Sequence, residues 1–170
     1  LGKVDLLVAN AGIGGQRFAG GAGFDGDARI VRTNLIGAMA TVDAGVKLFR
    51  AAGGGHIVGI SSVAGYRGLP GNAAYSASKA GLNAYLEAVR AEVKQANIVV
   101  TTIAPGYIDT PLNQHMKSRP FLVTVEDGAR RRLWHNDLFQ EFAGRAILAA
   151  IGQEEVLQRH SPADTGLVEN

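Results

Sequence analysis

Apolar runs of strand length alternate along this chain with longer stretches whose apolar residues recur every three to four positions. Val4-Asp5-Leu6-Leu7-Val8-Ala9, His56-Ile57-Val58-Gly59-Ile60-Ser61 and Ile98-Val99-Val100-Thr101-Thr102-Ile103 are the runs. Each is nearly continuous in its apolar character, the pattern of a strand buried on both faces. Between them, residues 25–50 place Ile30, Val31, Leu35, Met39 and Val42 at helical core spacings, and 73–95 do the same with Leu82, Tyr85, Leu86 and Val89. Residues 10–24 read as a Gly-rich loop, Gly53-Gly54-Gly55 ends the first helix, and 62–72 form a second loop. Such alternation predicts a parallel sheet covered on both faces by helices, a doubly wound α/β architecture. Further on, 111–135 read as loop and short helix, weakly helical over 125–133. Residues 137–151 read as an amphipathic helix with Leu138, Phe142, Ile147, Leu148 and Ile151 on one face, and 152–170 as a polar, poorly ordered tail.

Composition narrows the classes. The 170 residues are 46% hydrophobic and 19% charged, enough for one domain with a substantial core. Net charge is +2, with basic residues scattered; Arg130-Arg131-Arg132 lacks interleaved aromatics and reads as a solvated helix face, so nucleic acid is not an expected partner. Cysteine is absent, which removes disulfide and thiolate chemistry and fits a cytoplasmic location. No apolar stretch approaches the roughly 18 to 20 residues of a membrane span, and no charged-then-apolar leader is visible. The chain opens at Leu1 and enters a strand almost at once, as the middle of a protein would.

The chemistry concentrates in Tyr75-Ser76-Ala77-Ser78-Lys79, a Y-x-x-x-K at the start of the second helix. Positions i and i+4 share a helical face, so phenol and ammonium project together. A cation near a phenol favours the phenolate, and the spacing predicts a Tyr75 acidified toward neutrality, suited to general acid/base work. Taken alone, the pair is a weak signal and reads as an exposed polar helix face. Ser62 lies thirteen positions before Tyr75 at a strand end, where it also fits an ordinary turn or cap; Asn34 lies in the first helix. Asn10-Ala11-Gly12 follows the first strand, and Pro105-Gly106-Tyr107-Ile108-Asp109-Thr110 follows the third. Ligands of parallel sheets bind beyond the strands' carboxyl ends, and Asn10, Ser62 and Pro105 each follow one.

Two other patterns lead elsewhere and are set aside. Gly21-Ala22-Gly23-Phe24-Asp25-Gly26 spells G-x-G-x-x-G, but a dinucleotide fingerprint follows its strand directly and this one does not. Gly59-Ile60-Ser61-Ser62-Val63 resembles a serine-nucleophile elbow but ends in Val, which disfavours a hydrolase.

The ordered set N-A-G, Asn34, Ser62, Y-x-x-x-K and P-G-x-x-x-T resembles the short-chain dehydrogenase/reductase family over residues 1–131. That resemblance implies a Rossmann-like fold and hydride transfer between NAD or NADP and a small-molecule secondary alcohol or carbonyl. It implies Tyr75 as general acid/base, Lys79 on the nicotinamide ribose, Ser62 orienting the substrate oxygen, and Asn34 kinking its helix and holding a relay water. Asn10, Ala11 and Gly12 would sit by the adenosine side of the cofactor. Pro105, Gly106, Ile108 and Thr110 would lie near the nicotinamide amide and phosphates. Small residues Ala77, Ala80, Gly81 and Ala84, with family habit, suggest a homodimer or homotetramer. Tyr66, Leu69, Tyr107 and Met116 suggest an apolar substrate wall.

Against the family pattern, the phosphate-binding glycine turn and the residue that chooses NAD or NADP are not found. Two to three βα units therefore look absent upstream, an N-terminally truncated sheet that should bind cofactor poorly. The family's closing strand is not found after Arg131, so 132–170 read as a divergent helical segment and tail. The alternative is an inactive fragment or non-catalytic binding module.

Overall fold

A computed structural model describes residues 3–131 apart from Ala22, 110–111, 113–118 and 120–121. The expected helix over 137–151 and tail over 152–170 lie outside the described residues. The chain divides into two compact units, Leu1–Leu122 and Val123–Asn170.

The first unit is built on three parallel strands in the order β1 (Leu6–Ala9), β2 (Gly55–Ile60), β3 (Ile98–Ile103). Register pairs Leu7 with Ile57 and Ile57 with Val100. The connections run through α1 (Phe24–Val31), a π-helical turn at Arg32–Ile36, α2 (Gly37–Ala52) and α3 (Ala73–Glu92). This is the Rossmann-like α/β sheet that the alternation predicts. The strands lie where the apolar runs place them, β1 beginning two residues late because Val4 is exposed.

The face shared by Ala9, Ile57, Ile98 and Val100 receives both α2 and α3, whose Val42, Phe49, Leu82, Leu86 and Val89 complete the core. Fully burying a side chain such as Phe49 or Leu86 is worth about 1.5–3 kcal/mol. Two strand glycines make that approach possible. A Cβ on Gly55 would stand 2.2 Å from Phe49 Cδ1, and one on Gly59 would stand 2.3 Å from Leu86 Cδ1. Glycine is unfavourable in a strand by propensity, and its presence here marks close packing.

One expected core position is misplaced. Met39 is 37% exposed, while Ala38, Val42, Gly45 and Phe49 turn inward. The π turn inserts one residue into the helical repeat and rotates everything beyond it. Tyr85 is half-buried against the core rather than within it.

In the second unit the described residues form α4 (Val125–Arg131), close to the expected 125–133. Thr124 Oγ1 accepts from Asp127 N at 3.1 Å, the usual N-cap geometry.

Gly59→Ala should destabilise the protein by about 1–3 kcal/mol, because a Cβ has no space beneath Leu86. Gly68→Ala, where the added methyl meets nothing within 4 Å, should change stability by less than about 0.5 kcal/mol. Urea denaturation of the two variants beside the parent checks both.

Candidate active site

The carboxyl end of β2 and the first turns of α3 meet, and the polar side chains gather there. After Ile60 the chain leaves the sheet as Ser61-Ser62, held to the β3 exit by Ser61 N–H to Ile103 O (2.7 Å) and Val63 N–H to Pro105 O (2.8 Å). Ser62 caps a 3₁₀ turn at Val63–Gly65, its Oγ accepting from Ala64 N at 3.2 Å. The same hydroxyl donates to Pro105 O at 3.4 Å and faces the Tyr75 phenol, where a hydrogen bond from it favours the phenolate. It carries one proton, so it donates to one of them at a time.

Lys79 is 4% exposed, and its Nζ donates to Ile60 O at 2.7 Å. Burial lowers its pKa from 10.5 to about 8, leaving it mostly protonated at neutrality. Nζ stands 5.8 Å from the centroid of the Tyr75 ring. Contrary to the expected acidification, the Tyr75 pKa is raised. Burial is the main cause, the Ser62 hydrogen bond opposes it, and Tyr107 adds to it. Lys79 does not counter that rise, because its ammonium is turned to a strand carbonyl and loses its proton before the phenol would.

Asn34 occupies the middle of the π turn and is fully buried. Its Oδ1 accepts from Ile13 N (2.8 Å), and its Nδ2 donates to Ile13 O (2.9 Å) and to Ser78 Oγ (3.3 Å). Both amide hydrogens are committed, so the side chain has only acceptor capacity left. Ser78 Oγ in turn donates to Tyr75 O at 2.7 Å. This network ties the segment after Asn10-Ala11-Gly12 to the turn that carries Tyr75. A Cβ on Gly12 would lie 3.6 Å from Asn34 Oδ1 and 3.7 Å from Lys79 Nζ, which places that loop directly over both.

Asn34, Ser62, Tyr75, Lys79, Gly12 and Pro105 thus come together. Asn10 is half-buried and Ala11 exposed on the same loop, and Gly106 is exposed and Ile108 half-buried beyond β3. Thr110 and Met116 lie outside the described residues. Of the expected apolar wall, Leu69 and Tyr107 are half-buried, whereas Tyr66 is 67% exposed. Gly81 packs inside the chain, where a Cβ would stand 2.9 Å from Leu35 Cδ2, while Ala77, Ala80 and Ala84 are exposed. In the literal G-x-G-x-x-G, the Gly26 position is filled by the Arg17 guanidinium, 2.1 Å from where a Cβ would be. Ser61 competes with Ser62 in the sequence but lacks the thirteen-residue separation from Tyr75, and Ser78 is marked there only by its adjacency to Lys79.

The family model for short chain dehydrogenase matches residues 1–120. The chain belongs to the short-chain dehydrogenase family. An uncharacterized oxidoreductase of Myxococcus xanthus is 41% identical over 127 residues, 74% of this chain and 50% of that protein. Dehydrogenase/reductase SDR family member 7B of Bos taurus is 41% identical over 112 residues, 66% of this chain and 34% of its own. Among solved structures, acetoin dehydrogenase from Enterobacter cloacae superposes with a TM-score of 0.61 at 33% identity, covering 68% of this chain and 46% of that one. A short-chain type dehydrogenase/reductase from Mycobacterium marinum gives a TM-score of 0.62 at 29% identity, covering 65% and 44%. The chain therefore spans about half the length, or less, of these short-chain dehydrogenase relatives. No helix among the described residues is long and apolar enough to cross a membrane.

The buried lysine gives a pH test. Its pKa is lower folded than unfolded, so between about 8 and 10.5 the unfolded state binds more protons and stability rises with pH. Lys79→Met should be more stable than the parent at pH 7 by up to about 3 kcal/mol, less the lost Ile60 bond. The advantage should shrink as pH rises from 8 to 10.5. Chemical denaturation of both proteins across that range reads the difference.

Proposed function

We propose that the chain carries the catalytic portion of an oxidoreductase that moves a hydride between a nicotinamide cofactor, NAD or NADP, and a secondary alcohol or carbonyl. The observation that carries this is the convergence of the Ser62 hydroxyl, the Tyr75 phenol and the Lys79 ammonium beyond the end of β2. The donor set fits the nicotinamide–ribose half of such a cofactor. It offers two hydroxyls and one buried ammonium, under a loop whose Gly12 leaves no side chain between Lys79 and the space above.

The bound cofactor would supply the hydride and, when oxidised, a positive charge. Tyr75 gives or takes the proton at the substrate oxygen, and Ser62 donates to the same oxygen. Lys79 would hold ribose hydroxyls, with Asn10, Ala11, Gly12, Pro105, Gly106, Ile108 and Thr110 lining the remainder. Asn34 fixes the Gly12 loop against α3. Exposed Ala77, Ala80 and Ala84 support close helix contact between copies in a homodimer or homotetramer. A small-molecule substrate and a cytoplasmic location belong to the same reading.

The second reading is an SDR-like fragment without catalysis, favoured by the half-length match to relatives. A ligand that binds only the native state raises its melting temperature. A flat response to NAD(H) and NADP(H) would select the fragment. Tyr75→Phe should lower turnover by about 10²–10⁴-fold while the cofactor dissociation constant stays within a few-fold. Undiminished turnover would remove Tyr75 from its role.

A further inference from the structure

Ser62 is bracketed by two residues that touch the same peptide group. Ser61 Oγ donates to Lys79 O at 3.2 Å. Three residues beyond Ser62, Gly65 lies flat on the same helix turn. A Cβ there would stand 2.9 Å from Lys79 C, 3.0 Å from Lys79 O and 2.8 Å from Asn83 Nδ2. The first two atoms are helix backbone and cannot step aside. The third belongs to a side-chain amide buried without a hydrogen-bond partner, which closes the contact from the far side. The 3₁₀ turn between them is tightened by Gly65 N–H to Ser62 O at 2.9 Å.

Lys79 is therefore grasped twice by the β2 exit, through its ammonium on Ile60 O and through its carbonyl under Ser61 and Gly65. Tyr75 sits one turn earlier on the same helix. Because Gly65 has no unusual φ, only the missing side chain explains a glycine at this point.

We propose that Ser61 and Gly65 are positioning residues, which seat the Ser62 loop on the Lys79 peptide and so set the reach of the Ser62 hydroxyl to the Tyr75 phenol. This rests on the pairing of Ser62 with Tyr75 in the proposed function. Gly65→Ala lifts the loop by the width of a methyl group, and Ser61→Ala removes one anchor without adding bulk.

The phenol itself is the reporter, and the 170-residue chain suffices without any cofactor. Carbon-13 at Tyr Cζ gives one NMR titration curve for each of Tyr66, Tyr75, Tyr85 and Tyr107, assigned by single Tyr→Phe variants. The groups facing Tyr75 are Ser62, Lys79 and Tyr107. Ser62→Ala should raise the Tyr75 pKa, since the bond it removes favours the phenolate. Gly65→Ala should raise it by at least half as much, leave Tyr85 unmoved, and add nothing further on top of Ser62→Ala. A general loosening has the opposite sign, because burial is what raises this phenol and exposure would lower it.

A fall or no change in Gly65→Ala, with Ser62→Ala raised, overturns the proposal. An unmoved Tyr75 in Ser62→Ala overturns the Ser62–Tyr75 pairing itself, and the positioning role with it. Should Gly65→Ala fail to fold, Ser61→Ala decides: a rise in Tyr75 alone supports the seat, and an unchanged value overturns it.

Discussion

The buried ammonium of Lys79 is the constraint to which the other parts of this site are fitted. A charge taken out of water is expensive unless it is hydrogen-bonded, and here burial alone carries its pKa down to about 8. The carbonyl of Ile60, the last residue of β2, is its partner at 2.7 Å. That bond holds α3 to the end of the strand. It aligns Tyr75, one helical turn back, with Ser62, two residues past the strand. The hydrophobic contacts of Leu82, Leu86 and Val89 press the helix onto the sheet, but apolar packing is non-directional and would tolerate sliding. A short, directed bond to one carbonyl does not.

A second tie acts from the other side. The π turn at Arg32–Ile36 breaks the regular repeat and turns Asn34 inward, where its amide forks onto both backbone groups of Ile13 and onto Ser78. Irregular helix turns are often associated with functional sites. Here the turn lets one side chain serve a loop and a neighbouring helix. The loop after β1, the helix before β2 and the helix before β3 are thereby locked together near the strands' carboxyl ends.

Much of this was legible in the residues, and the limits have physical causes. Strands were legible because strands of a parallel sheet carry runs rich in β-branched residues, as Ile98–Ile103 does to the residue. The motif residues were legible because Y-x-x-x-K fixes two side chains on one helical face, and Ser62 and Pro105 both follow strands. The π turn leaves no trace in the periodicity, since Arg32 to Ile36 fits a regular helix equally well and points Met39 inward; only the family resemblance, through Asn34, implies a kink there. Ser61, Ser78 and Gly65 act through partners eighteen, forty-four and fourteen positions away in the chain, Lys79, Asn34 and Lys79 respectively. Local sequence carries no sign of such partners. The direction of the Tyr75 shift was misjudged for a related reason: spacing shows that the ammonium is near, but not that a strand carbonyl claims it.

The order of titration then says what this arrangement does at rest. Lys79, with a pKa of about 8, gives up its proton before Tyr75, whose pKa burial raises beyond the ordinary phenol range. Raising the pH alone therefore neutralises the lysine before it forms a phenolate, and the two charges do not coexist to any large extent. At neutral pH the phenol is protonated and faces a hydroxyl that can stabilise its anion. Such a site is set to give a proton, as reduction of a carbonyl requires. To take one, it needs further positive charge close to the phenol, which bare Lys79 does not provide. Under the proposed chemistry the oxidised nicotinamide has that charge, so the direction of proton transfer would follow the redox state of the partner.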